Sequence, residues 1–462
     1  MIQIRVQNQI QLLPADELPP EVLDSIRLRL SFTNPKYIEN LRLGYSNYQT
    51  PEMIKGYRIK ENSIIIPRGF FPSLIYQLKQ DSISYHVIDR RRLLEPVDFA
   101  FLGTLRDFQI KPVEEILAKD SGVCMAPTGS GKTVIAIAVI AARRQPALIV
   151  VHTKELMDQW MARIEEFLDI PAQEIGQIGG GHYQIGQKIT VALVQSLYRC
   201  SDDVTPYVGH LIVDECHRTP SRTFTEAVGA FDARYLLGLS ATPFRRDRLT
   251  KLIYWALGNR VCEIDQSVLI EAGDILRADV EIRKTNFYTA LDASTEYSKM
   301  LTEIADDHDR NCLIVSDVAR EASNGSGICL VLSDRKEHCQ TLADLMEAQG
   351  TKAEVLTGDL GLPERRRIVE DLNNGRIKVL VATGQLIGEG FDCKALSTLF
   401  LAMPISFEGR LIQYLGRIMR PAPGKTSAKL YDYIDGNVGV LANSGRSRQR
   451  LYSRSGRAEV SA

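Results

Sequence analysis

The chain has 462 residues, 44% hydrophobic and 24% charged, and its 56 lysines and arginines nearly balance 57 aspartates and glutamates, for a formal net charge of -1. Such a composition excludes a disordered chain, suggests two to four ordinary domains, and leaves any nucleic-acid surface to local basic stripes rather than a global field. Eight cysteines without C-x-x-C spacing exclude a zinc framework and fit a reducing compartment, while a start (Met1 to Arg5) without a signal-peptide core and a longest apolar run of only residues 134–142 predict a cytoplasmic protein with no membrane partner.

Residues 1–101 lack a strand-helix rhythm. They contain a β-rich stretch at 63–71 and breaks at Asn34-Pro35 and Pro67-Arg68-Gly69, which predict a small α+β accessory domain. Tyr45, Tyr48, Arg68, Phe70 and Phe71 could stack on bases or meet phosphates, or could form that domain's own core. Over residues 102–275, buried-strand runs at 122–125, 147–151, 189–194, 210–213 and 235–239 alternate with amphipathic stretches such as 154–168. A second series with the same rhythm, at 328–332, 353–356, 379–382, 399–402 and 428–433, follows a helix-prone lead-in at 291–322. The fold class is therefore α/β, with two tandem parallel-sheet domains (102–275 and 276–442) behind the accessory domain. Residues 443–462 form a basic tail with Arg446, Arg448, Arg450, Arg454 and Arg457 around Tyr452, either a solvated terminus or a nucleic-acid arm.

Between the first apolar run and a helix-forming run lies Ala126-Pro127-Thr128-Gly129-Ser130-Gly131-Lys132-Thr133. It reads as a triphosphate cradle: the glycines let backbone N–H groups face an anion, Lys132 reaches the outer phosphates, and the Thr133 hydroxyl can join a Mg²⁺ shell. The first glycine of the general pattern is Ala126 here. The run 210–213 ends in Asp214-Glu215-Cys216-His217, so that Asp214 is placed to hold Mg²⁺ and Glu215 to act as general base toward water.

Asp214-Glu215-Cys216-His217, joined to Ser240-Ala241-Thr242-Pro243 on the next strand end, resembles the superfamily 2 helicases and translocases. That resemblance implies RecA-like folding of both α/β domains and an ATP- and Mg²⁺-dependent motor. Arg106 and Gln109 match the adenine motif, which makes Gln109 the expected base contact. Gln413-Tyr414-Leu415-Gly416-Arg417-Ile418-Met419-Arg420 is similar to the motif whose arginines act as fingers in cis. Arg417 and Arg420 would lie one helical turn apart and Gln413 would place the lytic water. Thr383, Gly390 and Asp392 correspond to the motif before it. Thr153, Lys154, Gln195, Ser196, Thr357 and Gly358 resemble strand-tracking motifs, Ser240 and Thr242 the coupling motif, and His217 a relay of phosphate state. The form of Arg106-x-Phe108-Gln109 and of Thr153-Lys154-Glu155-Leu156-x-x-Gln159-Trp160 is nearest to the XPB- and UvsW-type DNA translocases and departs from the DEAD-box RNA branch. The expected partner is duplex, forked or junction DNA, with a separate nuclease or a replication or repair protein as a further partner. The alternatives are the motor of a restriction or defence assembly, an ATP-gated clamp, and an RNA helicase.

Overall fold

The computed structural model describes residues 1–218, 226–241, 249–293, 295–324, 327–388, 393–405, 408–454 and 458–461. The chain divides into two compact units, Met1–Ala126 with Gly131–Ile264, and Asp265–Ala462 with the four loop residues Pro127–Ser130. Among the described residues no helix is long and apolar enough to cross a membrane.

The accessory region carries β1 (Ile2–Val6), β2 (Gln9–Leu13), β3 (Ser31–Thr33), β4 (Met53–Lys55), β5 (Arg58–Lys60), β6 (Ser63–Pro67) and β7 (Tyr85–Asp89). Five of them form a mixed sheet in the order β5-β6-β2-β1-β7, with β1 antiparallel to β2 and parallel to β7. Alternation decides its buried face: Ile2, Ile4 and Val6 on β1 and Ile10 and Leu12 on β2 point into the core, while Gln3, Arg5 and Gln11 do not. Helices Pro20–Arg29 and Phe71–Gln80 close that face with Val22, Ile26, Leu74 and Leu78.

The same core takes in Trp255, from helix Thr250–Leu257 of the first α/β domain, whose ring lies 5.4 Å from that of Phe32. The seam is tight: a Cβ at Gly69 would stand 2.1 Å from the Tyr254 carbonyl oxygen, so only glycine is tolerated there. Arg92 crosses it to Asp232 with Nε and Nη2 at 2.8 and 3.0 Å from the two carboxylate oxygens. The aromatic-basic group expected at a nucleic-acid surface is thereby divided. Arg68 and Phe70 are buried at the seam and cannot reach a strand, because the 3₁₀ turn Arg68–Phe70 packs against that helix; Tyr45 and Tyr48 are exposed.

The first α/β domain is built on β8 (Ser121–Met125), β9 (Ala147–Val151), β10 (Gly176–Gly179), β11 (His182–Gln184), β12 (Ile189–Leu193), β13 (His210–Val213), β14 (Tyr235–Ser240) and β15 (Arg260–Glu263). Their order is β11-β10-β12-β9-β13-β14-β8-β15, parallel except for the β10–β11 hairpin. Every residue of β9 and β13 is buried, which is why both appear in the sequence as unbroken apolar runs.

The second α/β domain has β16 (Ala278–Lys284), β17 (Ile328–Ser333), β18 (Glu354–Leu356), β19 (Val379–Thr383), β20 (Leu396–Leu401), β21 (Ala428–Ile434) and β22 (Ala458–Ser461), in the parallel order β18-β19-β17-β20-β21-β16-β22. The expected lead-in is present as helices Tyr297–Asp306 and His308–Asn324, but a strand, β16, precedes it.

Nor are residues 443–454 a tail. They continue helix Gly439–Arg454, and β22 then adds to the sheet beside β16. Arg448 is buried and donates to both oxygens of Asp432, with Nη2 to Oδ1 at 2.8 Å and Nε to Oδ2 at 2.9 Å, and the Tyr452 hydroxyl donates to Oδ2 at 2.8 Å. The physical reason lies in β21, where Asp432 is a fully buried carboxylate whose burial is costly without a cation and donors around it. Arg446 and Arg450 stay exposed, the Arg454 side chain is not described, and Arg457 lies outside the described residues.

Candidate active site

In the first α/β sheet β14 lies between β8 and β13, so the chain leaving the carboxyl ends of these three strands emerges side by side. The loop after β8 is tied to the end of β14 by the Ala126 N–H, which donates to the Ser240 carbonyl at 2.9 Å. Gly129 and Gly131 have φ of +95° and +74°, conformations that open the loop and that side chains disfavour. Ser130 is buried and its hydroxyl donates to the Pro127 carbonyl at 2.7 Å, bracing the turn that contains Thr128. Lys132 opens helix Lys132–Arg143, anchored by the buried residues Ile135 to Ile140, and its Nζ donates to the Ala126 carbonyl at 3.1 Å. Thr133 follows in the first helical turn, half-buried. The curled loop, the helix N-terminus and the lysine make an anion cradle.

Gln109 is buried on helix Asp107–Leu117, and its Oε1 accepts the Arg106 N–H at 3.0 Å as an N-terminal cap. Its amide nitrogen faces the loop: a Cβ at Gly131 would lie 2.4 Å from Nε2. Half of the amide expected to read a base is thus committed to the helix start.

Asp214 is buried beyond β13. Trp160, on helix Lys154–Leu168, donates Nε1–H to Oδ2 at 2.8 Å, and the Glu215 N–H donates to Oδ1 at 2.9 Å. Burial, with the neighbouring Glu215 charge, pushes the Asp214 carboxyl up to about 6 against the pull of Trp160 and Lys132. Lys132 offsets that charge only in part, which suits a site that takes a hydrated divalent cation. Glu215 has φ +45°, a strained turn for a residue with a side chain. His217 Nδ1 stands 2.9 Å from Ser240 Oγ and 3.3 Å from Glu215 Oε2. The expected relay histidine, coupling serine and general base therefore form one group, while Thr242 lies outside the described residues.

The expected strand-tracking residues fall into two sets. Thr153 caps helix Lys154–Leu168 by accepting the Leu156 N–H at 3.3 Å, Lys154 and Gln195 are exposed, and Ser196 is half-buried; they follow β9 and β12, which are paired with Val151 opposite Leu193. In the second unit, Thr357 and Gly358 follow β18 and Thr383 ends β19, paired with Leu356 opposite Ala382. Each set lines the carboxyl edge of adjacent parallel strands.

In that unit Gln413 is buried and Arg417 half-buried on helix Glu408–Ile418. Arg420 lies past the helix end rather than a turn along it. Pro421 disfavours helical geometry at the preceding residue, and Lys425 Nζ donates to the Arg420 carbonyl at 2.8 Å to hold the bend. The Tyr414 hydroxyl donates to the Gly384 carbonyl at 2.8 Å, fixing the helix to the end of β19. Gly390 and Asp392 lie outside the described residues. Trp160 and Tyr414 received no role from sequence; both stand within quoted motifs, yet their partners are 54 and 30 residues away.

Residues 102–245 match the family of the Type III restriction enzyme res subunit, and residues 310–422 match the helicase conserved C-terminal domain. The chain belongs to the superfamily 2 helicases. As a helicase of that class it is a nucleic-acid-dependent ATPase, on two RecA-like domains with an N-terminal accessory domain. It is 28% identical over 374 residues to the protein named Probable helicase D10 of Escherichia phage T5, covering 80% of each chain. It is 37% identical over 143 residues to the DNA 3'-5' translocase XPB2 of Sulfurisphaera tokodaii, covering 31% of this helicase and 32% of that protein. Among solved structures, S. cerevisiae Dbp5 bound to RNA and ADP BeF3 has the same fold, with a TM-score of 0.55 at 14% identity over 78% of this chain and 90% of that one.

Proposed function

We propose that this helicase is a DNA motor driven by ATP hydrolysis, working on duplex or branched DNA by unwinding, branch migration or remodelling. The observation that carries the reading is the group at the carboxyl edge of the first sheet: a phosphate cradle ending in Lys132, a deep carboxylate at Asp214, and Glu215 in contact with His217, itself against Ser240. The DNA assignment is supported by likeness to a protein named as a DNA translocase.

ATP with Mg²⁺ would be held by Pro127 to Thr133, with Asp214 and Thr133 toward the cation and Gln109 toward the base; the cation would supply charge neutralisation at the outer phosphates. Glu215 takes the proton from the attacking water. Arg417 and Arg420 stabilise charge on the transferring group and Gln413 orients the water, as the family pattern implies. His217 senses the state of Glu215 and passes it to Ser240. Thr153, Lys154, Gln195, Ser196, Thr357, Gly358 and Thr383 meet backbone phosphates, giving register without sequence preference. Gly390 and Asp392 complete the nucleotide contacts and Thr242 the coupling.

Steady-state ATP hydrolysis with duplex, forked and single-stranded DNA and with RNA tests the reading. Stimulation by DNA is expected, and stimulation by RNA alone would refute it. A second reading, the motor of a restriction assembly whose nuclease is a separate chain, is favoured by the res-subunit match over residues 102–245. Displacement of a triplex strand without unwinding of a four-way junction would favour that second reading.

A further inference from the structure

A cavity of about 460 Å³ opens at the seam between the accessory domain and the first α/β domain, away from the nucleotide group. Its size falls within the range of small-molecule sites. The walls are largely apolar, with Ile54, Phe231, Leu252 and Trp255 among them, and the charged groups lining it among the described residues are Lys55, Arg58 and Arg68 against Glu226.

Arg68 is 4% exposed. Its Nη1 donates to the Ala233 carbonyl at 2.6 Å and reaches the Gln7 carbonyl at 3.5 Å, while Nε and Nη2 have no hydrogen-bond partner among the described residues. Those two atoms form the side of the guanidinium that grips a carboxylate with two parallel bonds. This chain uses the same side twice nearby: Arg91 holds Asp89 with Nε at 2.9 Å and Nη2 at 2.7 Å, and Arg92 holds Asp232 at 2.8 and 3.0 Å. Burial and the neighbouring Arg91 pull the Arg68 guanidinium down to about 9 against the opposing charges of Asp120, Asp232 and Asp89, which leaves it cationic at neutral pH. Burying a cation with two donors unmade is costly, and a structure that keeps it beside an apolar cavity has a place for an anion with an apolar body.

We propose that this cavity binds a carboxylate attached to an aromatic or branched apolar group, with the carboxylate on the Nε–Nη2 side of Arg68 and the apolar group against Phe231, Leu252 and Trp255. A nucleic-acid backbone does not meet this description, because the cation is sunk among apolar walls and a phosphodiester brings no apolar body. Two sources share the chemistry, a free aromatic acid and the C-terminal residue of a peptide. Because the walls come from both domains, an occupant would tie the accessory domain to helix Thr250–Leu257.

The test is calorimetric titration of the full chain with N-acetyl-phenylalanine and with its amide, which share the apolar body and differ in charge. The acid is expected to bind with a dissociation constant of about 1 mM or below, and the amide about tenfold more weakly through loss of the charged contact. Arg68→Met should bring the acid to the level of the amide. Ala256→Leu, at a half-buried wall position, fills the cavity without removing a charge; it should weaken acid and amide alike while ATP hydrolysis persists. It serves independently if Arg68→Met fails to fold. A hexapeptide ending in phenylalanine with a free carboxylate that binds more tightly than the acid identifies a chain end as the source, and equal binding identifies a free acid. Equal affinity of acid and amide, no binding of either, or displacement of the acid by equimolar inorganic phosphate would overturn the proposal.

Discussion

Trp160→Phe isolates the support of Asp214 from the residues that would meet nucleotide. The phenyl ring keeps most of the packing of a side chain only 2% exposed and removes one contact, the Nε1–H bond to Asp214 Oδ2 at 2.8 Å. A hydrogen bond to a charged group contributes about 1.5–3 kcal/mol, and each 1.4 kcal/mol is roughly tenfold in an equilibrium. Loss of the weaker half of that range moves the Asp214 carboxyl up by about one unit from its value of about 6. Since Mg²⁺ must compete with the proton there, the apparent Mg²⁺ affinity in ATP hydrolysis should weaken only about twofold at neutral pH, rising toward about tenfold as pH falls below the parent value of about 6. The acid limb of activity at subsaturating Mg²⁺ should move upward by about one unit. The sign is that of a carboxyl raised in the folded state: its ionised form is lost as pH falls through the folded value, and the ligand-free protein loses stability as pH rises from the ordinary carboxylate range toward it. Rate measurements at graded Mg²⁺ and pH check both effects. Mg²⁺ dependence below pH 6 that stays within twofold of the parent, with an unmoved acid limb, would refute the role of Trp160.

Lys132→Ala and Glu215→Gln should abolish turnover and leave the melting temperature within a few degrees; near-normal nucleic-acid-stimulated hydrolysis in either would contradict the assignment. Gly131→Ala places a methyl group at φ +74° and 2.4 Å from the Gln109 amide nitrogen. The left-handed conformation alone costs about 1–2 kcal/mol, so a lowered melting temperature and weakened nucleotide binding are expected, measured by thermal denaturation and nucleotide titration. Arg448→Ala removes the cation from buried Asp432 and should cost about 3–5 kcal/mol of stability in denaturant unfolding, while the salt dependence of DNA binding stays the same. A slope reduced by about one with stability unchanged would instead mark Arg448 as a phosphate contact.

Much of the motor was legible because its chemistry sits where apolar runs end. β8, β9, β13 and β14 are buried on both faces, so they stand out as runs, and the residues after β8, β13 and β14 are those that parallel strands bring together. The strands that escaped notice lack that signature. β16 alternates Ala278 and Val280 with Asp279 and Glu281, and β10 and β11 carry glycine and polar residues near the edge of their sheet. Arg420 was misplaced for a local reason that sequence does contain, the proline after it.

What the sequence could not reveal is which polar residues are spoken for. Arg448 and Arg446 are two positions apart in the same basic run, yet one is buried on Asp432 and the other is exposed, because only one faces β21. Arg68 reads as a surface cation beside aromatic residues, yet it is sealed by a helix nearly two hundred residues later in the chain, against which Gly69 packs at backbone distance. In both cases the charge pattern is the same as that of a nucleic-acid surface, and the difference is made by long-range packing. A basic cluster therefore becomes evidence for a polyanion only after the carboxylates of the core have taken their share. Here Asp432 takes Arg448 and Asp232 takes Arg92, while the exposed Asp89 holds Arg91, and buried Arg68 has no carboxylate hydrogen-bonded to it among the described residues.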